Sequence, residues 1–187
     1  MNIANKISTF RILSVPFFIA SLIYYSPERD YLRFVALSIF ILGVISDGVD
    51  GYIARKAKQQ SKAGLLLDPL GDKLLLMSAF TCLYLNQSLS LRFPLWVTLI
   101  VISRDVIIIL GVVVIYIVKQ SINFFPTRWG KLTTSFQMLA VIAVFLQMKF
   151  AFIFWWLAVF FTIISGLDYV MRGFKVLYAA DNNRDSH

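Results

Sequence analysis

The sequence predicts an all-α polytopic membrane protein of six transmembrane helices. Three observations carry that prediction. The hydrophobic fraction of the 187-residue chain is 59%, above the roughly 45–50% of soluble domains. Charged residues make up only 15%. Long apolar runs recur between short polar breaks. One soluble core of this chain length could not bury so many apolar side chains. A lipid-facing surface removes that difficulty. One domain over 1–187 is expected, with no internal repeat, soluble appendage or linker.

The spans are read at about 8–25, 32–55, 69–86, 94–118, 132–148 and 151–171, each long enough to cross a bilayer. Turn and cap residues mark most of the breaks: Ser26-Pro27, Asp68-Pro69, Phe93-Pro94 and Phe125-Pro126. The first run has a basic start in Lys6 and Arg11. Its end, Tyr24-Tyr25-Ser26-Pro27, offers no small-x-small cleavage site, so it is expected to be a retained helix. The tail from about Asp181 is polar and expected to be mobile.

Orientation follows from Lys and Arg. With the N-terminus inside, thirteen lie on the cytoplasmic side and four outside (Arg29, Arg33, Arg92 and Lys149), with Arg104 within a span. Both termini are therefore predicted to be cytoplasmic. The net charge of +8 reads as a cytoplasmic face suited to anionic lipid and phosphate, not as a nucleic-acid surface. Trp96, Trp129, Trp155 and Trp156 fall near span ends, as interfacial anchors do. Cys82 is the only cysteine, which excludes an intramolecular disulfide, and it reads as packing. His187 is the only histidine and stands last in the chain. Histidine catalysis, histidine metal ligation and a Ser-His-Asp triad are thus not expected in the membrane body.

The chain has ten acidic residues, and four fall close together: Asp47, Asp50, Asp68 and Asp72. Asp47 and Asp50 are spaced i, i+3 and share a helix face. Gly51 and Ala54 extend that face with minimal side chains, which lets a ligand approach the backbone. Arg55 adds a cation one turn on. Asp68 and Asp72 are spaced i, i+4, and Asp68 is expected to cap the third helix with Pro69 at its first position. The basic loop Lys56 to Lys62 and the Gly64 turn would return the chain, bringing four carboxylates together at the cytoplasmic membrane edge. Caps and Lys salt bridges are the plainer explanation. Like charges at reduced dielectric repel strongly, however, and intramembrane acids are costly and by default functional. Divalent cations resolve the conflict. An all-oxygen set selects hard metals such as Mg²⁺, Mn²⁺ or Ca²⁺. Two ions flanked by Arg55 would suit a diphosphate, clamping entering and leaving oxygens.

The segment SDGVDGYIARKAKQQSKAGLLLDPLGDK fills every position of DxxDGxxAR-x8-G-x3-D-x3-D. Eight specified positions at roughly 5% each match by chance about once in 10¹⁰ placements. The pattern resembles the signature of the CDP-alcohol phosphatidyltransferases. The opening NIANKISTFRI is similar to that family's NIPNxLTxxR, with Ala4 in place of the Pro. The resemblance implies six transmembrane helices, a homodimer and a polar cavity facing the cytoplasm. It implies that an alcohol hydroxyl attacks the diacylglycerol-bearing phosphorus of CDP-diacylglycerol, releasing CMP. It also implies roles. Asp47, Asp50 and Asp68 would be metal ligands, with Asp72 sharing the second of two ions, Mg²⁺ or Mn²⁺. Asp72 would be the general base. Gly51 and Ala54 would border the nucleotide, with Gly64 in the same CDP-diacylglycerol site, and Arg55 would hold the diphosphate. The lack of a usable histidine independently leaves the base role to a carboxylate.

The acceptor is less defined. Arg104-Asp105 inside a span reads either as a structural ion pair or as the acceptor side of the site. Arg128 and Lys131 read either as topology-setting charge or, with Arg104, as a binding site for an acceptor phosphate. The family's phosphatidylglycerophosphate synthases typically carry an Arg-Glu pair with a second Arg about eight residues on, and often Gly-Lys-x-Lys. Here Val112 and Thr133 stand at the second Arg and second Lys. ISRDVIII is more similar to eukaryotic-type cardiolipin synthases, which use phosphatidylglycerol. FTIISGLDYVMRG instead resembles the end of bacterial phosphatidylglycerophosphate synthases. The glycerol-3-phosphate enzymes are also the commoner, and the balance tips to glycerol 3-phosphate. A bacterial source would place the enzyme in the cell (inner) membrane. An ion-coupled transporter is the rival class, but it would more often show inverted repeats and acids spread over several spans.

Overall fold

The computed structural model describes residues 3–57, 64–119 and 128–182, with side chains described for 9–46, 73–111 and 129–173. Among these the chain is all-helical, with six α-helices and no strand: α1 (Ile3–Ile23), α2 (Tyr31–Ala57), α3 (Gly64–Leu85), α4 (Leu95–Lys119), α5 (Arg128–Phe145) and α6 (Ala151–Asn182). A short 3₁₀ turn, Pro27–Arg29, sits between α1 and α2, where Ser26-Pro27 announces a break. α1 packs on α2 and α3, α5 packs on α6, and α4 leans on α6.

Apolar packing joins the helices. Phe18 of α1, Phe40 of α2 and Phe145 of α5 form a buried trio with ring centroids 6.0–6.4 Å apart. Phe80 of α3 stacks on Phe93 at 4.5 Å, and Phe93 meets Trp155 of α6. Such aromatic pairs add to plain area burial. Cys82 packs against this core as a half-buried side chain, as expected. Large apolar side chains are also exposed on every helix, among them Phe17, Phe34, Leu74, Leu110, Leu139 and Leu167. A soluble monomer rarely shows such continuous apolar surface. The stretch Ala151–Gly173 is long and apolar enough to cross a membrane. The described apolar stretches of α1, α2, α3 and α5 are shorter, 10–17 residues.

Helix ends differ from the expected spans in instructive ways. α3 starts at Gly64, so Asp68 is not its cap, and Asp68 and Pro69 lie in its second turn. Leu65, Leu66 and Leu67 are good helix formers, and a proline this early forfeits only one ladder bond. α5 starts at Arg128, which places Arg128 and Lys131 in its first turn rather than ahead of it. α6 continues past the apolar stretch to Asn182, so helix reaches into the expected mobile tail; residues 183–187 lie outside the described residues. The Arg172–Asp168 pair, 2.9 Å apart at i, i+4, supports its polar continuation.

The turn after α5 has an unusual residue. Gln147 adopts φ 51°, and the bonds Met148 N–H to Ala143 O and Gln147 N–H to Val144 O close a Schellman motif. Glycine usually takes this left-handed position. Here the Gln147 amide accepts from Leu91 N–H at 2.7 Å and donates to Leu91 O at 3.1 Å. That clamp ties the α3–α4 connection to the end of α5.

Candidate active site

The motif residues divide between two helix segments. Asp47, Asp50, Gly51, Ala54 and Arg55 lie in the last turns of α2, and Gly64, Asp68 and Asp72 lie in the first turns of α3. Their side chains are outside the described residues. The described part of the α2–α3 contact ends at their edge. A Cβ at Gly43 of α2 would overlap the tip of the Leu75 side chain of α3, so any larger residue requires that side chain to shift. Along the backbone, Asp47 follows Gly43 by about one turn, and Asp72 precedes Leu75 by nearly one turn.

Buried cations surround this junction. Arg11 of α1 is 2% exposed and lines a small recess with Phe40, Gly43 and Leu75. Its topological explanation, a basic start to the first span, misses that burial. Lys73 follows Asp72 directly, and its Nζ donates to Asp105 Oδ1 of α4 at 2.6 Å. Arg104 Nη1 donates to the same oxygen at 2.7 Å, and Nη2 donates to Ser165 Oγ of α6 at 2.6 Å. Asp105 is fully buried and Arg104 is 8% exposed. Arg104 Nε and Asp105 Oδ2 are buried with no hydrogen-bond partner among the described residues. Among the described residues, Lys73 and Arg104 both donate to this one carboxylate oxygen.

The Arg104-Asp105 pair is thus a real ion pair, and it belongs to a larger network. Sequence reasoning missed Lys73 and Ser165 as its members. Lys73 carried a usable signal, standing directly after the last Asp of the motif. Ser165 carried none, because a serine in an apolar helix usually bonds to its own backbone. Tyr169, one turn beyond Ser165, donates its hydroxyl to Ile108 O at 3.3 Å and packs over Gly111. Lys131 is exposed and forms no ion pair with a described residue. The Arg128 side chain lies outside the described residues.

No cluster of metal-ligating side chains occurs among the described residues. The motif's donor set is all carboxylate. Cys82 lies well along α3 from it and is packed into the core. That chemistry fits a hard divalent cation and not a thiolate- or imidazole-loving metal.

Comparison with known proteins agrees with this motif. Residues 1–164 match the CDP-alcohol phosphatidyltransferase family, which is generally divalent-metal dependent and membrane-bound. A probable phosphatidylglycerophosphate synthase of Mycobacterium tuberculosis is 32% identical over 180 residues, covering 93% of this chain and 82% of its own. The CDP-diacylglycerol–glycerol-3-phosphate 3-phosphatidyltransferase of Bacillus subtilis is 30% identical, covering 94% of this chain and 97% of its own. That of Aquifex aeolicus is 27% identical, covering 95% and 99%. With its eight-position motif complete across α2 and α3, the chain belongs to the CDP-alcohol phosphatidyltransferase family.

Proposed function

We propose that the protein transfers the phosphatidyl group of CDP-diacylglycerol to a hydroxyl of glycerol 3-phosphate, giving phosphatidylglycerophosphate and CMP. The gapless Asp motif at the α2–α3 junction carries the reaction class. Relatives named for the glycerol-3-phosphate reaction, matched over nearly the whole chain, support the acceptor.

In this reading Asp47, Asp50, Asp68 and Asp72 hold two divalent ions, Mg²⁺ or Mn²⁺. When bound, the ions offset the charge of the diphosphate and make its phosphorus more electrophilic. Arg55 binds the diphosphate, and Gly51, Ala54 and Gly64 leave room for the nucleotide end. Asp72 accepts the proton of the attacking hydroxyl. The acceptor oxygen forms its bond to the diacylglycerol-bearing phosphorus as the bond to the CMP oxygen breaks. Arg104, Arg128 and Lys131 supply positive charge toward the acceptor phosphate. Arg104 directs two of its nitrogens to Asp105 and Ser165, and its remaining N–H groups are its capacity for a ligand.

The same reading has six membrane spans, both termini in the cytoplasm, the site facing the cytoplasm from the cell (inner) membrane, and a homodimer. Apolar exposure on every helix and the thirteen-to-four Lys/Arg bias support the membrane arrangement. The test is a product assay with purified protein in mixed micelles. Labelled glycerol 3-phosphate should enter lipid, with CMP release that EDTA abolishes. Product from phosphatidylglycerol in place of glycerol 3-phosphate would make the chain a cardiolipin synthase. Undiminished turnover in EDTA would sink the metal mechanism.

A further inference from the structure

We infer that Asp105 is a positioning residue for the reaction: through Lys73 it sets the rotation of α3 and therefore the placement of Asp72. This rests on the assignment of Asp72 as the base. Among the described residues, the apolar core ends toward the motif at Leu76 and Leu75 on α3 and at Val101 on α4. Beyond them, among the described residues, the two helices are joined by the 2.6 Å bond from Lys73 to Asp105. Asp105 is itself fully buried and held by Arg104, which is tied in turn to Ser165 of α6. The α3 helix is therefore referenced, through one carboxylate oxygen, to both α4 and α6.

Rotation is the setting that needs such a reference. Lipid tails are as apolar as leucine, so apolar contact alone does not select one face of a membrane helix. Close packing and interhelical hydrogen bonds do. Lys73 and Asp72 are neighbours, about 100° apart around the helix axis. Fixing the azimuth of one fixes the other. A roll of about 20° on a Cα radius of about 2.3 Å moves Asp72 by roughly 0.8 Å at the backbone, and further at the carboxylate. A misplacement of about 1 Å costs of the order of 10²-fold in rate. Lys73 is a long side chain, yet with 18% of it exposed its stem is largely packed.

The test uses full-length protein and the variants Asp105→Asn, Asp105→Glu, Lys73→Met and the double variant Lys73→Met/Asp105→Asn. The readouts are kcat, KM for each substrate, and the melting midpoint in EDTA. Asp105→Asn should lower kcat by the order of 10²-fold, with both KM values within about threefold. Asp105→Glu, which keeps the anion, should recover a clear part of that loss. Lys73→Met should reproduce it, and the double variant should be no worse than the worse single one. Losses that multiply in the double variant would overturn the inference. So would a drop expressed mainly in KM for the acceptor, which would place Asp105 with Arg104 alone. A lowered melting midpoint with normal kcat per folded molecule would reduce the network to structure. Asp72→Asn, run alongside, separates the two layers. Full activity there removes the base assignment itself. An inactive Asp72→Asn beside a fully active Asp105→Asn removes only the positioning role.

Discussion

The two ends of the helix bundle are built on different principles. Around Phe18, Phe40 and Phe145, and again at Phe80, Phe93 and Trp155, helices meet through rings and aliphatic side chains. Around Lys73, Arg104, Asp105 and Ser165 they meet through short polar bonds between buried groups. Packing of the first kind is graded, because removing atoms leaves a cavity whose cost depends on how far neighbours relax. Ionic contact of the second kind is all-or-none, because losing one partner strands a buried charge. Stability should therefore be concentrated at the aromatic end and reaction geometry at the charged end.

Substitutions can break that division. The largest effect belongs to Asp72→Asn, expected to lower kcat by roughly 10²–10⁴-fold with little change in melting midpoint. An equally large loss of folded protein would merge the two ends. Phe145→Ala should do the reverse. It should cost about 3–5 kcal/mol of unfolding free energy, read by denaturant unfolding in micelles, while the folded fraction keeps its turnover. Gly43→Val tests the boundary, since its Cβ meets Leu75 beside the start of the motif. A cost of about 1–3 kcal/mol from overpacking should come with reduced kcat, the one substitution expected to move both. The smallest effect is at Gln147. Gln147→Ala keeps the left-handed backbone and loses the clamp on Leu91, for about 1 kcal/mol. Gln147→Gly relieves the backbone and should be the milder change by thermal melting.

The division also explains what sequence reading reaches. Six helices are legible because apolar runs separated by Pro and Ser breaks are a strong, local signal. The Asp motif is legible because carboxylates are scarce in so apolar a chain. Helix ends are less so, since hydropathy reports where apolar residues stop and not where backbone bonding stops. The α6 helix accordingly outruns its apolar stretch by a further polar segment. The α3 start was misplaced because Pro69 favours a first-turn position but is also tolerated one turn later. Arg11 was hidden by an adequate explanation: topology accounts for a basic residue near a span end, so nothing prompts a second role, whereas the place of Lys73 directly after Asp72 was a signal open to reading. Ser165 becomes visible only when α6 is laid against α4.

The buried pair on α4 has a consequence for how the chain enters a bilayer. An arginine or aspartate at the centre of a lone helix opposes insertion by about 2.5–3.5 kcal/mol each, and α4 carries both side by side at Arg104 and Asp105. Its other charge partner is Lys73, 32 positions earlier on α3. That residue has already been synthesised when α4 emerges, whereas Ser165 is made only later. On the proposed six-span arrangement, the order of synthesis favours α3 and α4 entering as a hairpin whose ion pair forms on the way in, with α6 closing the network last. A glycosylation-site reporter placed after α4 in truncated chains would read this directly. Insertion of α4 should fall when Lys73 is replaced by Met and should be indifferent to Ser165.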